Sequence, residues 1–114
     1  MNLKQIIGKN VVKSKLNKNG FELLTDDNVL FKVELVADNV TTKLLLSKNK
    51  EIEKLNSSVI TSIEKREYDK LNDLDNELEY EVVYHIRNEN GVYIVINIGT
   101  ESSNYRLIEN GVCK

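Results

Sequence analysis

The chain's single histidine, His85, stands two residues before Arg87 in VVYHIRNENGVYIVINIG, residues 82–99. Imidazole is the side chain whose ordinary pKa suits acid–base chemistry near neutrality. Catalysis would also need a nucleophile, or a carboxylate to orient the ring. Neither stands beside His85 in sequence, and a neighbouring guanidinium disfavours the imidazolium. One histidine and one cysteine, Cys113, cannot make a His/Cys metal set. A half-exposed strand histidine is therefore the expectation, and no residue is assigned a catalytic or metal role.

A second polar constellation lies in GTESSNYRL, residues 99–107. Ser102, Asn104 and Tyr105 offer hydroxyl and amide groups, and Arg106 adds a fork of donors. With Arg87, Tyr93 and Asn97 they form a candidate ligand-binding set for a phosphate- or carboxylate-bearing molecule, the tyrosine stacking and the arginines making charge-assisted hydrogen bonds. No phosphate-cradling or dinucleotide glycine pattern occurs. The third candidate is the acidic run EYDKLNDLDNELEYE, residues 67–81. Its Glu67, Asp69, Asp73, Asp75 and Glu77 could serve as a partner-binding decoy for a basic groove. Asp73, Asp75 and Glu77 alternate like the start of a calcium loop, but the required glycine and closing glutamate are missing.

The elements that must position these groups read mostly as strands. KNVVKSKL and FELLT flank the turn NKNG, and VLFKVELVA returns after TDDN, which predicts a three-strand meander. TTKLLLS fits a strand or the start of a helix. Leu3, Ile6 and Ile7 suit a short helix stopped by Gly8, and Ile52 and Leu55 suit another in KNKEIEKLN. Residues 59–79 read as a strand to about Glu67 followed by an acidic connection, with a long helix as the alternative.

The late hairpin is the most sharply specified element. If Glu89-Asn90-Gly91 is a three-residue loop with Gly91 left-handed, Ile86 faces Ile94, Tyr84 faces Ile96 and Val82 faces Ile98. Arg87 then lies opposite Tyr93, His85 opposite Val95 and Val83 opposite Asn97, all on the other side. A two-residue Asn90-Gly91 loop would instead oppose Arg87 to Ile94 and His85 to Ile96. Burial selects the first register. SNYRLI supplies a last strand and NGVCK a tail. The expected fold is thus α+β, a mostly antiparallel curved sheet of about six strands with one or two short helices.

With 114 residues the chain forms one domain, long enough to bury a core without staples. A content of 40% hydrophobic and 30% charged residues is that of a globular protein. The net charge of -2 argues against general nucleic-acid or anionic-membrane affinity. It divides unevenly: residues 1–66 hold 12 Lys and Arg against 8 Asp and Glu, and residues 67–114 hold 4 against 10. The lone cysteine excludes a disulfide framework and fits a reducing cytoplasm. No signal peptide or membrane span is legible. Proline and tryptophan are absent and Ala37 is the one alanine, whereas Lys, Asn and Ile abound, a bias that points to an A/T-rich genome.

Three short motifs carry a resemblance: Ile7, Gly8, Lys9 and Val11; then Ile52, Leu55, Ser58 and Ile60; then Gly99, Glu101, Ser102 and Tyr105. In this order the chain resembles a family of small phage- and prophage-encoded proteins of unknown function. That family usually carries a cysteine pair near the position of Val40-Thr41-Thr42 and tryptophan in the late strands, both missing here. The resemblance implies a mobile-element product of the anti-defence type. Such a product would be a non-enzymatic inhibitor of a host antiviral component, without cofactor, that sequesters a cyclic nucleotide signal or occupies a nuclease effector. An immunity protein that blocks a co-encoded toxin and a small hydrolase or nuclease using His85 are the alternatives. Apolar Val83 and Val95 on the outer sheet face suit a homo-oligomer.

Overall fold

Apolar residues at every second position organise the computed structural model, which describes residues 3–46, 52–69 and 78–113. They form eight strands: β1 (Asn10–Asn17), β2 (Gly20–Thr25), β3 (Val29–Val36), β4 (Val40–Leu46), β5 (Ser58–Asp69), β6 (Tyr80–Asn88), β7 (Tyr93–Thr100) and β8 (Arg106–Cys113). All lie in one sheet of order β4-β7-β6-β5-β1-β2-β3-β8, and every neighbouring pair is antiparallel.

This architecture corrects the expectation of an α+β fold with about six strands. The two expected helices are single 3-10 turns, Leu3–Ile6 and Ile52–Leu55. Both pairs of buried apolar residues are three apart, which is the 3-10 repeat, and a lone turn can bury both ends of such a pair. Gly8, at φ +89°, ends the first. TTKLLL, residues 41–46, resolves as a strand because its pairing with β7 aligns Leu44 with Ile96 and Thr42 with Ile98. Of NGVCK, expected as a tail, residues 110–113 belong to β8, where residues 106–113 pair along the whole of β3.

The sheet folds back on itself at β5. Its first two residues pair with β1, as Val59 with Asn10 and Ser58 with Val11. The rest of its length pairs only with β6. Both strands are irregular near this junction, β1 between Val11 and Lys13 and β5 between Ile60 and Ser62. Bulges sharpen the local bend and twist. The bend lets β4-β7-β6-β5 lie over β1-β2-β3-β8, and the Phe21 and Tyr84 rings meet edge to face across the interface at 5.2 Å. The junction is fixed by a polar cluster: Asn88 Nδ2 donates to Ser58 Oγ (2.7 Å), and Ser14 Oγ donates to the carbonyl of Ile52 (2.9 Å). The Gly8 amide donates to the carbonyl of Ile60, seating the first 3-10 turn against β5.

The β6–β7 register is the one the alternation predicts, with Ile86 opposite Ile94 and Arg87 opposite Tyr93. Gly91 has φ +79°, and Asn88 Oδ1 accepts the amides of Asn90 and Val92 inside the loop. Ile86, Ile94, Ile96 and Ile98 are fully buried. Each is worth about 1.5–3 kcal/mol when removed from water, so a one-residue slip would cost far more than the left-handed glycine.

Two glycines give contrasting tests. A Cβ on Gly20 would stand 1.8 Å from the carbonyl oxygen of Val33, a backbone clash inside the β2–β3 ladder. Gly20→Ala should lower stability by about 3 kcal/mol or more in chemical denaturation. Gly91→Ala meets open space and strains only its own backbone, so about 1–2 kcal/mol should be lost.

Candidate functional site

Alternation along β4 to β7 sends one residue of every two away from the core. On this outer face the strand pairings set three rows side by side. Leu45, Val95, His85 and Glu64 form one, Lys43, Asn97, Val83 and Arg66 the next, and Tyr93, Arg87 and Ser62 a third. The Arg87 guanidinium lies 4.1 Å from the centroid of the Tyr93 ring. The Tyr93 hydroxyl shares a hydrogen bond with His85 Nδ1. The two rings are inclined by only 17°. A cation over an aromatic face, itself tethered to an imidazole, holds three recognition side chains in fixed positions. Asn97 Nδ2 reaches Glu81 at 3.4 Å, and its Oδ1 is buried with no protein donor. Leu78 covers Gly99 at the end of the face, where an added Cβ would come within 2.9 Å of it.

Arg87, Tyr93 and Asn97 therefore share one surface, as the candidate set requires. The remaining members do not join them. Arg106 opposite Val36 points from the outer side of the β1-β2-β3-β8 half. Ser102 and Asn104 bond to each other in the β7–β8 connection, the Ser102 hydroxyl donating to the Asn104 carbonyl and accepting its amide. Tyr105 turns instead toward β5 and donates to Asp69 (2.7 Å). Glu67 accepts from the Tyr80 hydroxyl (2.6 Å), so the two members of the acidic candidate set that lie on β5 are engaged within the protein. Asp73, Asp75 and Glu77 lie outside the described residues.

These bonds belong to a seam that the sequence reading missed. The second part of β5 runs antiparallel to β8 with no ladder between them; side chains span the gap instead. Lys65 Nζ bonds Glu109 (2.8 Å), whose other oxygen accepts from the Tyr84 hydroxyl (2.6 Å). Beside it the Tyr80 and Tyr105 rings stack at 4.3 Å. Burial, then the bond to Glu109, pushes the Tyr84 phenol well above its ordinary pKa. Burial, then the bond to Glu67, does the same for Tyr80. A hydroxyl at the end of a buried ring must find an acceptor, and that requirement on Tyr84 was the available signal. It could not name Glu109, which is 25 residues away in sequence.

The cavities along this seam are shallow. One of about 240 Å³ is lined by Leu3, Lys4, Ile63, Lys65 and Glu109, and one of about 330 Å³ lies between Glu67, Asp69, Tyr80, Tyr105 and Leu107. Among the described residues no group of three or more His, Cys, Asp and Glu side chains could hold a metal ion, and no helix is long and apolar enough to cross a membrane. No family model, curated protein or solved structure matches the chain at a significant level.

Because both phenols are raised, the unfolded chain releases their protons near pH 10 while the folded chain keeps them. Their contribution is complete below that pH and is lost as the pH climbs above it. Denaturation between pH 8 and 11 should show this fall set in near pH 10, and Tyr84→Phe should flatten the limb above pH 10 by up to about 1.4 kcal/mol per pH unit. At neutral pH the same substitution should cost about 1–2 kcal/mol, since it takes a donor from the Glu109 carboxylate.

Proposed function

We propose that the protein is a non-enzymatic binding protein that acts by occupying a protein partner through the outer face of β4-β7-β6-β5. The Arg87–Tyr93–His85 arrangement carries this reading. The three side chains contribute nothing to the core, yet they are held to one another on an open sheet face. Tyrosine and arginine are the residue types that most often anchor protein interfaces. Lys43 and Arg66 flank them.

The face is open, whereas small ligands are held in enclosed, mostly apolar pockets. The side chains that a nucleotide would need are also divided between two faces, Arg87 and Tyr93 on one and Arg106 on the other. Both observations favour a macromolecular partner over a sequestered nucleotide. The resemblance to phage- and prophage-encoded proteins supports a host defence protein, such as a nuclease effector, as the target.

Immobilised protein should capture one specific partner from a host lysate. Tyr93→Ala and Arg87→Glu should each weaken its binding by about thirtyfold or more, the loss expected at an interface anchor, with the melting temperature little changed. Calorimetry with cyclic nucleotides should give no heat. A partner retained by both variants, or a cyclic nucleotide bound tightly, would overturn the reading.

A further inference from the structure

A sheet of this order has two terminal strands, β4 and β8, and they are treated differently. The outer edge of β8 faces β5, and Lys65–Glu109 and Asp69–Tyr105 span the space between them. The Leu3–Ile6 turn stands beside the same gap, with Leu3 and Lys4 lining a cavity together with Ile63, Lys65 and Glu109. The Thr42 hydroxyl donates to the carbonyl of Lys18, which ties the core side of β4 to the β1–β2 turn, and among the described residues no strand pairs with the outer edge of β4.

An edge of this kind is ordinarily blunted by proline, a bulge or several charges. β4 has no proline, its pairing with β7 is unbroken from Val40 to Leu46, and its sole charge is Lys43. Val40 and Leu44 pack on the core but are only partly buried, and Leu45 is 40% exposed on the other face. We propose that this edge pairs with β4 of a second copy of the chain, antiparallel about a two-fold axis through Thr42. Closure argues for a second copy. The other edge of the sheet is occupied within the molecule, so head-to-tail growth has no second surface, and an isologous pair satisfies both open edges at once.

The sequence of β4 selects the register. Pairing centred on Lys43 would set the two ammonium groups opposite each other. Pairing centred on Leu44 or on Thr42 joins five residues of each strand, and the first leaves out Val40, which packs on the core. Centring on Thr42 places Val40 of each copy against Leu44 of the other, joining the half-open ends of the two cores, and places Thr41 against Lys43 on the outer face.

That last pair gives the test, because Thr41 and Lys43 are exposed. Sedimentation across the micromolar range should show the wild-type chain as a dimer in equilibrium with monomer. Thr41→Glu creates two cross-strand ion pairs and should tighten the dimer by roughly tenfold, and Thr41→Lys should weaken it by a similar factor. Adding Lys43→Glu to Thr41→Lys should restore the wild-type value. Hydrogen exchange should show β4 amides losing protection on dilution. A chain that stays monomeric at all these concentrations overturns the proposal, as does a dimer indifferent to the charge at residue 41. The two readings are separated by Tyr93→Ala and Arg87→Glu, which lie off the edge and should leave the dimer constant unchanged while partner binding is lost.

Discussion

The register of β6 on β7 is the constraint from which most of the molecule follows. Side chains alternate along a strand, so one choice at the loop decides where every later residue points. Gly91 in the left-handed region and Asn88 capping the loop amides set that choice. The isoleucines then face the core, and the imidazole, guanidinium and Tyr93 phenol emerge together on the far side. The binding face and the core are two readings of a single register. Neither could be shifted without exchanging polar for apolar groups throughout.

β5 turns this hairpin into a two-layered domain. It begins on β1 and ends beside β8, strands at opposite ends of their half of the sheet, so it must traverse that half at a steep angle. Backbone pairing cannot follow so oblique a path, and polar side chains take its place. Lys65, Glu67 and Asp69 alternate onto the side of β5 that faces β8, and all three remain exposed there. Each has a partner from β6, from β8 or from the approach to β8. Acidity near the end of β5 is therefore explained first by structure.

The sequence discloses local structure well in this chain and distant structure poorly. The meander, the late hairpin and its facing pairs were legible because turn chemistry and period-two burial act over a few residues. The helices were misjudged because a pair of apolar residues three apart fits an α-helical or a 3-10 turn equally well. β8 was cut short because Asn110 and Gly111 read as a terminus until β3 is seen beside them. Of the candidate site, Arg87, Tyr93 and Asn97 were placed correctly together by the hairpin alone. Arg106 was grouped with them because it follows closely in sequence, yet the connection after Thr100 carries the chain into the other layer. Glu109 as the acceptor for Tyr84 was beyond reach, since no local pattern encodes a contact between layers.

The partnership of β3 with β8 carries a consequence for biogenesis. Everything from β4 to β7 is translated between the two, so β3 emerges from the ribosome long before the strand that covers it. During that interval its hydrogen-bonding edge is exposed beside the apolar side chains of Phe31, Val33 and Leu35. Lys32 and Glu34, which alternate with them, act as gatekeepers on the opposite side of the nascent ribbon. Premature termination ahead of β8 would make that exposure permanent, yielding a sticky fragment in place of a slightly shorter protein.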